Sequence, residues 1–380
     1  MALDHANWLG YALKRFEKTM KILHVITSLR TGGAEHLLID LLPQLRKMGN
    51  EVELLIFDGR ETPFYEEMKK TGIKINALGN NMYDSGAPMK MVKYMKEFDI
   101  IHTHNTPCQY AAAMAKLLVL GRGGKLVTTE HSSNNRRRGK WYFKLLDKWM
   151  YNMYSSIIVI SDQPRKNLEN YIGKLKTITT IYNGVNLSKF QQAKRTRKED
   201  GQVLITMVAS LSEAKDQDTI IKALGELPKK YRMQLVGDGP RRTELEALVD
   251  SMQLKERVDF LGIRSDIPQI LVNSDINVMS SHWEGLSLSS IEGMSCGRPF
   301  IASDVDGLRE VVKGYGVLFP HEDHQQLAKE IIRLTENKEY ANQIIRQCQA
   351  KAAEYDISVM AEKYNDVYKT LIAKKKVKKG

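Results

Sequence analysis

From Met20 onward, short apolar runs alternate with amphipathic segments, and the alternation occurs twice along the chain. The first series has strand-like runs at 21–27, 51–57, 73–76, 99–103, 125–130, 156–160 and 178–182, with helical patterns such as 34–48 between several of them. Strands separated by helical crossovers pair in parallel, and a parallel sheet needs helices on both faces to bury it. The pattern then breaks at Asn183-Gly184-Val185-Asn186 and the charged stretch 194–201, whose turn residues and polarity predict an interdomain linker. A second series follows at 203–209, 232–236, 257–261, 276–279, 299–302 and 316–319. After helical patterns over 325–353, Val359, Met360, Tyr364, Val367, Tyr368 and Leu371 recur at helical spacing and predict a final amphipathic helix. The expected fold is α/β: two Rossmann-like, doubly wound parallel-sheet domains, in agreement with a length of 380 residues, too great for one ordinary core.

Composition narrows the class. With 42% hydrophobic and 27% charged residues, and no run near the roughly 20 apolar residues of a spanning helix, the chain reads as a globular enzyme. Cys108, Cys296 and Cys348 lack metal-ligand spacing and point to a reducing cytoplasm. A net charge of +12 calls for an anionic partner. Nucleic acid fits poorly, because no zinc-finger spacing, aromatic RNA-binding signature or helix-turn-helix is present. Anionic lipid headgroups fit better: Arg136-Arg137-Arg138-Gly139-Lys140 adjoins the aromatic segment 141–150, and Lys374 to Lys379 close the chain. The segment 139–150, with Trp141 and Trp149 among lysines, reads either as a core-facing helix or as one lying at a membrane interface. Residues 1–19 stand apart as an upstream start, an added segment or an interfacial helix; their broken apolar stretch is no secretory signal.

The chemistry concentrates near the C-terminal end. Glu284 and Glu292 lie eight residues apart and bracket Gly285-Leu286-Ser287-Leu288-Ser289, a small-residue turn running into a short helix that Gly297 and Pro299 close. The N–H groups of Leu288 and Ser289 would face an anion, with the helix dipole favouring a phosphate. Glu292, one turn in, can accept two hydrogen bonds from a vicinal diol such as a ribose, and Glu284 is left free to meet whatever hangs from the phosphate.

A Glu, seven residues, a Glu, then Gly-x-Pro and an apolar strand resembles the donor-site signature of retaining glycosyltransferases of family 4, which have the GT-B fold. The resemblance covers residues 20–380, and it is similar to bacterial enzymes of capsule and surface-polysaccharide synthesis. It implies that the final helix crosses back onto the first domain. The expected domains are therefore 20–187 plus 357–380 on the acceptor side and 188–356 binding the nucleotide-sugar, facing a deep cleft.

Further motifs take their roles from the same resemblance. Gly32 and Gly33, at a strand-to-helix turn, permit close backbone approach and in the family border the donor phosphates and the acceptor. His131 ends a strand within Thr128-Thr129-Glu130-His131 and matches the family's sugar-contacting histidine; His102 and His104, one strand earlier, are as conspicuous, but the His102 region borders the site at best. Lys215 matches the lysine aimed at the diphosphate. Ser210 departs from the family by standing where an arginine is expected, with Arg264 a conceivable substitute. Gly237 and Gly239, in Gly-Asp-Gly-Pro, form a tight loop suited to a flat ring, and Ile263, after Gly262, would meet the nucleobase through its backbone.

The resemblance thus implies transfer of a hexose or amino-hexose from a nucleoside diphosphate, UDP above all, to a glycan hydroxyl with retention at the anomeric carbon. Neither metal nor cofactor is implied, since the fold needs no Asp-x-Asp element. The glycan acceptor would be lipid-linked and the enzyme peripheral on the inner face of the plasma membrane. The rivals are a nucleotide-sugar epimerase of the same architecture and a non-catalytic basic surface-binding protein.

Overall fold

The computed structural model describes residues 19–30, 32–131, 141–173, 177–198 and 201–377, the last four without their side chains. Residues 1–18, Arg136 to Lys140 and the side chains of Lys374 to Lys379, on which the expectations for the N-terminal segment and the basic runs fall, lie outside the described residues.

Two compact units form, one comprising Met1–Ile181 with Ala361–Gly380 and the other Tyr182–Met360. In the first, a seven-stranded sheet has the order β3-β2-β1-β4-β5-β6-β7. Its strands are β1 (Lys21–Ser28), β2 (Glu51–Asp58), β3 (Lys74–Gly79), β4 (Ile100–Thr103), β5 (Lys125–Glu130), β6 (Ser156–Val159) and β7 (Ile178–Thr180). Every pairing is parallel. The apolar runs are continuous because helices cover both faces, as in β1, where all residues after Lys21 are buried. Leu23, Val25, Leu55, Phe57, Ile101 and Leu126 form one cluster of its core with Met91, Ala112 and Met150.

The second unit has the order β10-β9-β8-β11-β12-β13, again all parallel. Its strands are β8 (Val203–Val208), β9 (Tyr231–Val236), β10 (Val258–Gly262), β11 (Ile276–Met279), β12 (Phe300–Ser303) and β13 (Val317–Phe319). All thirteen strands fall where the apolar runs predict them. The helix Ile357–Val377 runs on into the first unit, where Tyr364 and Tyr368 are fully buried and Asn365 accepts a 3.0 Å bond from Asn50.

The stretch expected as a linker departs from the sequence reading, because it is docked on the second unit. Val185 exchanges backbone bonds with Tyr355 and Ile357 (2.8 and 2.9 Å). Arg195 and Arg197 both reach Asp275, at 2.7 and 2.5 Å, and this carboxylate also accepts from the Leu204 amide at 2.7 Å. A carboxylate drawn off the surface at the mouth of β11 needs compensating cations. The charge run supplies them, and the two compact units divide at 181/182 and 360/361.

Candidate active site

In the second unit the strands β8, β11 and β12 are neighbours, and ligands of open α/β sheets bind beyond the carboxyl ends of such strands. The loops that follow them are bonded together. Ser280 Oγ donates to the Asp216 carbonyl at 2.8 Å, the His282 amide donates to the Ala214 carbonyl at 3.0 Å, and the Ser281 amide donates to Ser303 Oγ at 2.9 Å. Asp216 adopts the left-handed conformation (φ 45°, ψ 51°) and caps the helix Gln217–Glu226 by accepting from the Thr219 amide. That turn aims Lys215 at the loop after β11, where its Nζ forms an ion pair with Glu284 Oε1. Both side chains are largely withdrawn from water, Lys215 to 21% and Glu284 to 10% exposure. The sequence left Glu284 free. Instead it is the counter-ion of Lys215, because a half-desolvated ammonium needs a compensating charge.

Glu284 is further held by Ser281 Oγ at 3.3 Å, and its loop is pinned from behind by Gly307. A Cβ on Gly307, which sits at φ 83°, would lie 2.2 Å from the Gly285 carbonyl oxygen and 2.5 Å from that of Glu284. Sequence reasoning passed over Gly307; the only available signal was an Asp-Gly pair after a strand.

The helix Leu288–Ser295 starts where expected. Buried Ser287 is its N-cap and accepts from the Ser290 amide at 3.3 Å. The amides of Leu288 and Ser289 lie in the first turn, beyond the reach of intrahelical bonding. Leu286 is half-buried against the core, and Glu292, also half-buried, lies one turn into the helix.

Gly237 and Gly239 owe their identity first to packing. Gly237 has φ 134° and donates to the Gly262 carbonyl at 2.9 Å; a Cβ there would meet the Ala209 carbonyl oxygen at 2.0 Å. One on Gly239 would meet the Leu211 carbonyl oxygen at 2.3 Å. The close approach read from Gly-x-Gly-Pro is thus made to the loop after β8. Ile263 is 84% exposed, with Gly262 at φ 65° before it. Ser210 is exposed and bonded to Ser212 (3.2 Å), and Arg264 cannot stand in for the expected arginine without giving up Asp266, which it grips at 2.8 Å through two nitrogens.

In the first unit Gly32 caps the helix Gly33–Lys47 in extended conformation, and the nearest atoms to a Cβ there belong to the flexible Glu35 side chain. Around the Cβ direction of Gly33 there is open space. His131 follows β5, half-buried, with Nε2 3.0 Å from Nδ1 of His104. Burial pushes His131 down to about 4, so the ring is neutral near pH 7. His102 and His104, one strand earlier, are buried within the unit. Burial holds both well below the usual histidine range.

Residues 31–189 match the family described as Glycosyltransferase Family 4, and residues 188–351 match Glycosyl transferases group 1. The chain is a glycosyltransferase of the GT-B fold, with a family 4 domain followed by a group 1 domain. The transferase is 25% identical to the Escherichia coli UDP-Gal:alpha-D-GlcNAc-diphosphoundecaprenol alpha-1,3-galactosyltransferase, over 96% of this chain and 100% of that one. It is 24% identical to the Campylobacter jejuni GalNAc-alpha-(1->4)-GalNAc-alpha-(1->3)-diNAcBac-PP-undecaprenol alpha-1,4-N-acetyl-D-galactosaminyltransferase, over 91% and 97%. Among solved structures, Anabaena HepE in complex with UDP and glucose superimposes with a TM-score of 0.73 at 23% identity, covering 92% of the transferase and 100% of HepE. A Rickettsia africae glycosyltransferase does so with 0.75 at 18%, over 93% and 99%.

The transferase thus groups Lys215, Glu284 and the first turn of Leu288–Ser295 on one set of bonded loops in the second unit, and Gly32, Gly33 and His131 at strand ends in the first. A cation and first-turn helix amides suit an anion that gains charge as a bond breaks. Behind His131, which bonds to His104, sequence reasoning missed His24, Tyr364 and Tyr368: they carry no motif, and only the tertiary fold brings them to His102, His104 and Thr129.

Proposed function

We propose that the transferase moves a hexose or amino-hexose from a uridine diphosphate sugar to a glycan hydroxyl on a lipid-linked oligosaccharide of surface-polysaccharide synthesis, with retention at the anomeric carbon. The Lys215–Glu284 pair beside the helix Leu288–Ser295 carries this reading. When a diphosphate arrives, Lys215 exchanges a carboxylate for a phosphate, and the released Glu284 turns to the sugar hydroxyls. Charge on the leaving diphosphate is met by Lys215 and the amides of Leu288 and Ser289, so the reading calls for no metal or cofactor. Glu292 holds the ribose, the backbone at Ile263 meets the base beside the Gly237–Gly239 loop, and Leu286 and Ser287 shape the phosphate turn. In the first unit Gly32 and Gly33 admit the substrate and His131 contacts the sugar. No carboxylate is assigned as nucleophile; attack from the face of the leaving phosphate accounts for retention. The diphosphoundecaprenol acceptors named for the relatives support a lipid-linked one here.

A panel of nucleotide-sugars offered with undecaprenyl-diphosphate-linked acceptors should yield an α-linked product from an α-configured UDP donor, read by the anomeric coupling in NMR. A β-linked product, or conversion of the free nucleotide-sugar without acceptor, would refute the reading.

The enzyme is further read as peripheral at the cytoplasmic face of the plasma membrane. No helix among the described residues is long and apolar enough to cross a membrane. The helix Trp141–Asn152 buries Asp147, Met150 and Tyr151 and turns outward Trp141 (77% exposed), Tyr142, Leu145 (63%) and Leu146, with Lys144 and Lys148 beside them. Exposed aromatics with lysines suit a headgroup layer, and each basic residue contributes about 1 kcal/mol near an anionic surface. Vesicles containing phosphatidylglycerol should retain the protein at low salt, release it at high salt and retain less after Trp141→Ala with Leu145→Ala. Indifference to such vesicles at low ionic strength would favour a soluble acceptor.

A further inference from the structure

His24 on β1 lies in register with His102 on β4, so alternation places His24, His102 and His104 on one face of the sheet. Thr129 and His131 continue that face from β5, and Tyr364 and Tyr368 of the helix Ile357–Val377 bond to its histidines and Thr129. These seven side chains form one hydrogen-bonded chain. Tyr364 Oη lies 3.0 Å from Thr129 Oγ1, which lies 2.8 Å from His102 Nε2. His102 Nδ1 lies 2.5 Å from Tyr368 Oη, and Tyr368 Oη makes a long contact of 3.5 Å to His24 Nε2. His24 Nδ1 lies 2.8 Å from His104 Nε2, and His104 Nδ1 lies 3.0 Å from His131 Nε2. The imidazoles of His24, His102 and His104 stack, with centroids 4.5, 4.9 and 5.1 Å apart, and their nitrogens are spent on one another and on hydroxyls, which is the arrangement of a relay rather than of ligands converging on an ion.

Such a chain points its donors all one way or reverses at a hydroxyl, and a reversal at Thr129 or Tyr368, each accepting twice, leaves that hydroxyl's own proton without an acceptor among the described residues. A neutral imidazole has one N–H, so making one nitrogen an acceptor makes the other a donor. Burial keeps the rings neutral, with His24 pushed down to about 3. If the donors pointed inward, the Tyr364 hydroxyl, fully buried and bonded among the described residues to Thr129 alone, would hold a proton with no acceptor. Buried orphan donors bear the full desolvation penalty. Pointing outward, every buried N–H and O–H finds an acceptor, and the chain ends at the half-buried His131.

We propose that this chain is polarised outward and holds His131 as the tautomer protonated on Nδ1, with His104 the positioning residue that donates to its Nε2. His131 therefore meets a ligand as a hydrogen-bond donor. Resting on the reading that His131 contacts the transferred sugar, the ligand atom it takes is a sugar hydroxyl oxygen in its acceptor role, and His131 is not the base that deprotonates the acceptor.

Long-range proton–nitrogen correlation spectra of the full chain with labelled histidine, recorded without substrate, should show His131 protonated on Nδ1 and bare on Nε2. In His104→Leu the ring is released and should move toward the Nε2-protonated form that imidazoles left to themselves prefer. His104→Asn, whose amide nitrogen occupies the place of Nδ1, should restore the original tautomer. Transfer should slow about tenfold in His104→Leu, the worth of one neutral hydrogen bond, with the donor KM unchanged, and recover in His104→Asn. An Nε2-protonated His131 in the unaltered chain overturns the proposal, and that spectrum suffices even if His104→Leu fails to fold. The expected tautomer with transfer unaffected by His104→Leu would refute the role of His131 at the sugar while leaving the polarity of the chain standing.

Discussion

Glu292→Gln should lower the affinity for UDP roughly ten- to a hundredfold, whereas Glu284→Gln should leave it unchanged or slightly higher while transfer falls by a similar factor; about 1.5–3 kcal/mol goes with each charge-assisted hydrogen bond lost. The two acids separate because of what each faces. Glu292 sits one turn into the helix Leu288–Ser295, where a ribose joined to a phosphate at the helix start would come within reach. Glu284 is paired with Lys215, so amidating it spares the incoming diphosphate the work of breaking that pair. The sugar, by contrast, loses an anionic acceptor that strengthens as positive charge develops at the anomeric carbon. Calorimetry with UDP and a transfer assay on the same variants decide the matter: equal losses of UDP affinity in both would mean that the roles of the two acids are confused.

The second large effect separates two glycine loops that look alike in sequence. Gly237→Ala should destabilise the second unit by about 2–4 kcal/mol, combining a backbone angle that only glycine adopts freely with a forced displacement of the loop after β8. The Ala209 carbonyl oxygen lies 2.0 Å from where the new Cβ must go, and it is main chain that cannot swing aside. For a unit of this size that corresponds to a fall in Tm of roughly 5–15 °C. Gly33→Ala should leave Tm unchanged or raise it, because alanine is the better helix former by about 1 kcal/mol and the position has open space around it. Transfer should nevertheless drop, since the added methyl occupies room proposed for substrate. Thermal unfolding followed by circular dichroism, with activity measured on the surviving fold, tests both. Full activity of Gly33→Ala would remove that loop from the site.

The strands were legible because a buried parallel strand writes itself as a local apolar run, and a helix start as a small polar residue before a periodic segment. Both signals lie within a few residues of the structure they cause. The helix Leu288–Ser295 and the position of His131 at the end of β5 were readable for that reason. Partnerships were not. Lys215 and Glu284 are 69 residues apart, and Tyr368 lies 344 residues from His24. Nothing local distinguishes a carboxylate that will be neutralised from one that will stay free. The charge run 194–201 showed the same limit, reading as a solvated linker until Asp275 was seen to hold Arg195 and Arg197. By itself the sequence determined two parallel-sheet units, the transferase family and the loops that carry the candidate chemistry. Only the tertiary structure decided which charges pair and which way a neutral histidine points its proton, because desolvation and hydrogen-bond satisfaction depend on neighbours supplied by distant parts of the chain.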